Sequence, residues 1–363
     1  MKLSLFDYNL PKELIAQKQI KPRDHSRLLI LKSPTTSSPA VAGVTPPRAG
    51  GDTITHDYFY NLDKYLDSND VLVFNDSKVM PARIRMYKET GGKVEVFLLK
   101  ELTAGKWEVM IGGKVVVKTR LRRRFAPRND SGFLKCEIIE KLDNGNWVVK
   151  FNLKGKKFRE VLEKIGETPL PPYIKTKDSK QIRKDYQTIY AHDEGSVAAP
   201  TAGLHFTKRV FEKLKKKGVK IEFVTLHVGL GTFQPVKTNE IEKHQMHAEY
   251  VVLDQATTKR LNNYKKEGKR IVAVGTTSCR VLEAMSLKNG KLKTGAKDVN
   301  IFIYPGYKFK FVDEMITNFH LPKSTLLMLV SALAGRENIL KAYKLAVKKK
   351  YRFYSFGDGM IIK

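Results

Sequence analysis

Short apolar runs of strand length open the chain. Residues 28–31 (Leu-Leu-Ile-Leu) and 71–74 (Val-Leu-Val-Phe) are continuously apolar and read as buried strands. Between them, 33–53 is rich in Pro, Ser, Thr, Ala and Gly and has no apolar period. Such a segment cannot bury enough surface to offset its ordering entropy, so it is expected to be a solvated, mobile loop. From Ala82 onward strands are predicted at 94–99, 107–111, 114–117, 134–139 and 147–151. Gly91-Gly92, Gly112-Gly113 and Asn144-Gly145 punctuate them, the last a strong hairpin signal. No helix of ordinary length fits there, so 78–154 is predicted as a small β-barrel or sandwich inserted into a discontinuous domain of 1–77 and 155–363.

After Lys154 the period lengthens. An amphipathic helix over 208–217 stops at Gly218 before a strand at 219–226. Asp254 caps a helix that runs to Glu267, and a strand follows at 271–274. A helix over 279–285, a strand at 299–303 and an apolar helix over 325–334 complete the pattern. Alternation of this kind predicts an α/β domain with a largely parallel sheet, binding ligands at the carboxyl ends of its strands.

Charge adds a partner class. Lys+Arg 67 against Asp+Glu 37 leaves a formal charge of +30. A surplus that large points to a polyanion, and composition alone leaves RNA, DNA and acidic membrane open. Basic runs occur at Lys118, Arg120, Arg122, Arg123, Arg124 and Arg128 and again at 348–350 with Arg352. Tyr351, Phe353, Tyr354 and Phe356 beside the second run are expected to pack rather than stack on bases. Cys136 and Cys279 form no CxxC pair, which suits a reducing cytoplasm. No apolar core of a signal peptide occurs at 1–17, and the longest apolar run, 326–334, falls far short of the ~20 residues of a membrane span.

Three constellations can carry chemistry. His205 and His227 each border a Gly/Thr/Pro-bearing turn, Pro200-Thr201-Ala202-Gly203-Leu204-His205 and His227-Val228-Gly229-Leu230-Gly231-Thr232. The second lacks the third glycine of a dinucleotide fingerprint. His244, His247 and Glu249 could ligate zinc or iron, but the spacing is not HExxH; hydrogen bonding or acid–base work is the expectation, and no metal. Gly275-Thr276-Thr277-Ser278, with Arg280 after it, follows a strand and opens a helix, a place for a carboxylate or phosphate or simply for a Ser278 cap. Asn318-Phe-His320 with Ser324 repeats the theme, and there too capping alone explains the serine.

Long motifs run through nearly the whole chain in order. They are Phe6-Asp-Tyr-Asn-Leu-Pro-Lys-Glu-Leu-Ile-Ala-Gln17, Arg23-Asp-His-Ser-Arg27, Val73-Phe-Asn-Asp-Ser-Lys-Val-Met-Pro-Ala-Arg83, Glu167-Thr-Pro-Leu-Pro-Pro-Tyr173, the 196–236 segment, His244-x-x-His247-x-Glu249, Gly275-Thr-Thr-Ser278 and Asn318-Phe-His320-x-Pro-x-Ser-Thr-Leu-Leu327. With them the chain resembles the S-adenosylmethionine:tRNA ribosyltransferase-isomerase family of queuosine biosynthesis. It departs from the family in the 33–53 insertion and in Phe356-Gly357-Asp358-Gly359, where the family more usually has Tyr-Gly-Asp-Ala.

The resemblance implies a large mixed α/β, barrel-like domain with an inserted small antiparallel β-barrel. It implies transfer and isomerisation of the ribosyl part of S-adenosylmethionine onto 7-aminomethyl-7-deazaguanine at the wobble position of tRNA with a GUN anticodon. Epoxyqueuosine-tRNA forms, adenine and methionine leave, and S-adenosylmethionine is a consumed substrate, with no cofactor expected. Base and acid are expected among His205, His227, His247, Glu249 and His320. Substrate contacts are expected from Thr201, Gly203, Gly229, Gly231, Thr232, His244, Thr276, Thr277, Ser278, Arg280 and Ser324, with Thr276, Thr277, Ser278 and Arg280 on the methionine carboxylate. tRNA is expected on Arg120, Arg122, Arg123, Arg124, Lys348 and Lys349, with the protein a cytoplasmic monomer. A non-catalytic RNA-binding protein and a metal-dependent hydrolase are the alternatives.

Overall fold

The computed structural model describes residues 1–32, 53–124, 132–229, 236, 238–246 and 248–363. The loop expected at 33–53 lies outside them except for Thr53.

The first apolar run forms β1 (Arg27–Lys32), with β2 (Thr53–Tyr58) antiparallel beside it and Arg27 opposite Tyr58. The second forms β3 (Asp70–Asn75), buried at every position as a strand covered on both faces must be. After β4 (Ser77–Val79) come β5 (Arg83–Lys88), β6 (Lys93–Thr103), β7 (Lys106–Gly112), β8 (Arg120–Arg124), β9 (Phe133–Lys141) and β10 (Trp147–Phe151). These six close into an antiparallel barrel in the order β10-β7-β6-β5-β8-β9. Closure leaves no unpaired edge. The strand expected at 114–117 does not form. Arg120–Arg124 takes the register against β9 instead, with Leu121 opposite Cys136, and Val116 is left 71% exposed. The barrel's core also continues past the expected boundary at 154. α1 (Gly155–Ile165) buries Phe158, Val161 and Leu162 in the same cluster as Trp107 and Phe151.

The remaining elements are α2 (Lys180–Asp185), β11 (Asp193–Ser196), α3 (Lys208–Lys216), β12 (Lys220–His227), β13 (Glu249–Leu253), α4 (Gln255–Lys266), β14 (Arg270–Val274), α5 (Gly275–Met285), β15 (Gly295–Val299), β16 (Glu314–Asn318), α6 (Thr325–Ala334), α7 (Arg336–Lys348) and β17 (Gly359–Ile362). Asp254 caps α4 through the Thr257 amide, as its position predicts. The strand expected at 299–303 ends at Val299; Ile301, Phe302 and Ile303 continue as irregular chain packed on the core.

Nine strands form one sheet in the order β15-β13-β12-β3-β14-β16-β17-β1-β2. It is mixed rather than largely parallel. The pairs β12–β3, β3–β14, β14–β16 and β17–β1 are parallel, and the others are antiparallel. Two helices, α6 and α7, separate β16 from β17, so the chain re-enters the sheet running the opposite way. Among the described residues this sheet is open, and the closed barrel is the inserted one. Among them, too, no helix is long and apolar enough to cross a membrane.

Candidate active site

Four neighbouring strands, β12, β3, β14 and β16, run the same way, so their carboxyl ends lie side by side, where sheets of this type bind ligands. The segment after β11 crosses those ends and is tied down there. Ser196 Oγ accepts from the Val228 amide (3.0 Å) and donates to the Ala198 carbonyl (2.7 Å). Between this segment and the strand ends is a cleft of about 540 Å³, space open to solvent included. Its wall includes Thr201, Thr276, Thr277, Asn318, His320 and Tyr354.

One side of the cleft is the start of α5, which leaves β14 without an intervening loop. No side chain caps this helix. Its first-turn amides lack intrahelical acceptors and carry the positive end of the helix dipole. Ser278 is not the cap: it lies within the helix and its hydroxyl donates to the Val274 carbonyl (2.8 Å). Thr277 keeps a buried hydroxyl with no partner at the cleft wall. Arg280, one turn along, is buried. Its Nη1 is on Glu249, while Nε and Nη2 have no partner. Burial draws the guanidinium pKa down to about 10. Glu249 in turn accepts the Gly229 amide (3.1 Å).

On the opposite side, Asn318 ends β16. Its Oδ1 accepts the Thr201 hydroxyl (3.0 Å), and its Nδ2 lies 3.0 Å from His205 Nε2. His205 Nδ1 lies 2.7 Å from Ser26 Oγ, and the ring stacks on Phe59 at 4.8 Å. An amide donor at Nε2 places the ring proton on Nδ1, from which it reaches Ser26. Burial lowers the His205 pKa to about 3, helped by the charges of Arg352 and Arg23. Both ring nitrogens are thus engaged, and the ring does not line the cleft. His320 does. Its Nε2 lies 3.1 Å from Thr317 Oγ1, and burial lowers its pKa to about 3.

His227 stands at the end of β12, off the cleft wall, parallel to Tyr250 at 6.2 Å. Its Nδ1 is buried without a partner; burial lowers its pKa, and Asp193 opposes the shift. Gly195, at φ +138°, lets it sit there, since a Cβ would come 2.9 Å from Nδ1. The other expected contacts are placed differently. A Cβ on Gly203 would collide with Tyr190 Oη, so that glycine serves packing. Ser324 caps α6 through the Leu327 amide. His244 lies edge-on to Phe302. Gly231, Thr232 and His247 lie outside the described residues. Among the described residues no three or more His, Cys, Asp or Glu side chains are grouped to hold a metal ion.

Sequence reasoning left out Asn318 and Ser26 as site residues. Both stood inside quoted motifs, Asn318-Phe-His320 and Arg23-Asp-His-Ser-Arg27, but a histidine draws attention before the amide or hydroxyl that holds it.

On the barrel, alternation along β8 puts Arg120, Arg122 and Arg124 outside and turns Arg123 inward, its Nε buried. The Arg122 and Arg124 guanidiniums lie over Phe133 at 6.0 and 5.5 Å. Lys348 and Lys349 are exposed, whereas Tyr351, Phe353, Tyr354 and Phe356 are buried in packing.

Residues 3–362 match the family model described as queuosine biosynthesis protein. The S-adenosylmethionine:tRNA ribosyltransferase-isomerase of Acetivibrio thermocellus is 50% identical over 364 residues, covering all of both chains. The protein of the same name from a Thermoanaerobacter species is 48% identical over 363 residues, again covering all of both. The crystal structure of S-adenosylmethionine tRNA ribosyltransferase from Thermotoga maritima is similar at 34% identity and a TM-score of 0.55, over 99% of this chain and 100% of that one.

Proposed function

The chain belongs to the queuosine biosynthesis family, and from that premise we infer that it transfers and isomerises a ribosyl group from S-adenosylmethionine onto tRNA. We further propose that the acceptor is 7-aminomethyl-7-deazaguanine at the wobble position of a GUN anticodon, that epoxyqueuosine forms, and that the enzyme works as a cytoplasmic monomer. Both cysteines are buried and unpaired, which suits a reducing compartment.

The observation that carries the site is the cleft between the start of α5 and Asn318–His320. Its wall joins apolar surface from Ala198, Ala202, Val228 and Phe319 to a few convergent polar groups, the composition of a small-molecule site. An amino-acid carboxylate fits the amides and hydroxyls of Thr276 and Thr277 better than it fits Arg280, whose Nη1 already holds Glu249. The chemistry asks for removal of a proton from the ribose carbon beside the sulfonium, a neutral acceptor amine, and a proton for departing adenine. His205 is held too tightly for any of these and instead orients the Asn318 amide, which in turn holds the Thr201 hydroxyl. His320 contacts substrate as a neutral ring. His227, off the wall itself but next to the cleft-lining Val228 and with an Nδ1 that has no partner, is the group left for proton transfer to substrate extending past Val228. An imidazole in that role is worth about 10²–10⁴-fold. The test is to incubate the protein with S-adenosylmethionine and tRNA bearing the precursor base. Adenine and methionine released one-for-one with a heavier wobble nucleoside support the reading; a methylated tRNA, or no adenine, overturns it.

A further inference from the structure

Two segments pack against His205 behind the cleft, and each turns a second face to solvent. In 23–27, Ser26 points inward to His205 while His25 is exposed. In 58–60, Phe59 is buried against His205, whereas Tyr58 is 46% exposed and Tyr60 half-buried. On the outer face the Tyr58 and Tyr60 rings are stacked, their centroids 5.4 Å apart and their planes within 5° of parallel. His25 lies 5.2 Å from Tyr60, and the Arg209 guanidinium 5.6 Å over it. A solvent-facing run of three rings and a guanidinium adds little to a core.

The charges around it are layered. Lys64 pairs with Asp57, Arg209 with Asp24, and Lys213 with Asp63. In each pair the cation is the more exposed partner: 59% against 14%, 52% against 1%, and 39% against 21%. The surface therefore presents cationic heads over neutralising carboxylates. Beyond Tyr58, which lies on β2 opposite Arg27, a groove continues along Arg27, His56, Asp57, Lys349 and Tyr351, the Asp57 carboxylate being the one paired with Lys64.

We propose that Tyr58, Tyr60 and His25 form a stacking platform for unpaired nucleotides of the tRNA substrate, with the groove at Lys349 taking the adjoining backbone. Aromatic faces accept any base, and surrounding cations follow the phosphates, the combination that single-stranded nucleic acid requires. The platform shares its two segments with the Ser26–His205–Asn318 contacts, so docked RNA is held against the back of the cleft. This inference rests on tRNA being the substrate.

Tyr58→Ala should weaken tRNA binding roughly 5- to 100-fold, the range of one lost base stack. The KM for tRNA should rise with it, while the KM for S-adenosylmethionine and the unfolding midpoint stay put. Tyr58→Trp should bind as wild type, and Tyr58→Thr, which keeps a strand-compatible residue, should bind as weakly as alanine. Unchanged tRNA affinity in both Tyr58→Thr and His25→Ala overturns the platform. Adenine release by the wild type, measured alongside, separates the cases. If it occurs while the variants bind normally, the platform alone fails. If it does not occur and the wild type binds no tRNA, the functional reading fails with it.

Discussion

The Asn318 side-chain amide donates to His205 Nε2 across 3.0 Å, so the imidazole is pinned as the Nδ1–H tautomer behind the cleft. Ser26 Oγ accepts the hydrogen bond from that Nδ1–H at 2.7 Å. Ser26→Ala leaves that buried N–H without an acceptor and should cost about 1–3 kcal/mol of stability. Ser26→Thr, which keeps the hydroxyl, should recover most of it. Thermal unfolding of the two variants checks this, and equal midpoints for Ser26→Ala and wild type would contradict it.

pH acts on stability through opposing groups. His205 and His320 have folded pKa values lowered by burial to about 3, below the ordinary 6.5. Their contribution is complete above 6.5 and is lost as pH falls toward 3. Glu314 runs the other way. Burial raises its carboxyl to about 7, so its contribution is present below its ordinary 4.5 and is lost as pH rises through 7. Glu314→Gln should therefore gain stability relative to wild type between pH 4.5 and 7 while keeping the acid-side fall. Denaturation midpoints across that range decide it; a constant difference between the two proteins is the contrary result.

The buried Arg280–Glu249 pair is exposed to single substitution. Glu249→Leu strands a guanidinium that already has two unpartnered nitrogens, and should cost about 3–5 kcal/mol. Adding Arg280→Met should return much of that. Urea titration of the single and double variants tests the coupling, and additive losses would argue against it.

Much of this architecture could be read from the chain because its cues were local. The Asn144-Gly145 turn, the Asp254 cap and the Gly218 stop each act over a few residues, and each stands where expected. The failures were set by distant partners. Whether 114–117 or 120–124 joins the barrel depends on register with β9, and β17 reverses because a helical hairpin precedes it. The site divided in the same way. Thr276, Thr277 and His320 reach the cleft as their motifs suggested, but the setting of His205 depends on Ser26 and Asn318, 179 and 113 residues away.

tRNA binding should be strongly salt-dependent, with a log–log slope of about −0.7 to −0.9 per phosphate contacted. Arg122→Ala removes an exposed cation from the outer face of the barrel and should reduce the slope by roughly one contact. Arg123→Ala, on an inward-turned side chain, should leave the slope unchanged and lower stability instead. Binding isotherms at several salt concentrations check both, and a flat response would remove the barrel face from the interface.

The most direct test of the cleft is the single-turnover rate of adenine release by Asn318→Ala at saturating S-adenosylmethionine and tRNA. The account predicts a folded protein slowed by at least ~10²-fold, because the side-chain amide that holds the Thr201 hydroxyl on the cleft wall is gone. A rate near that of the wild type would place the chemistry elsewhere in the molecule.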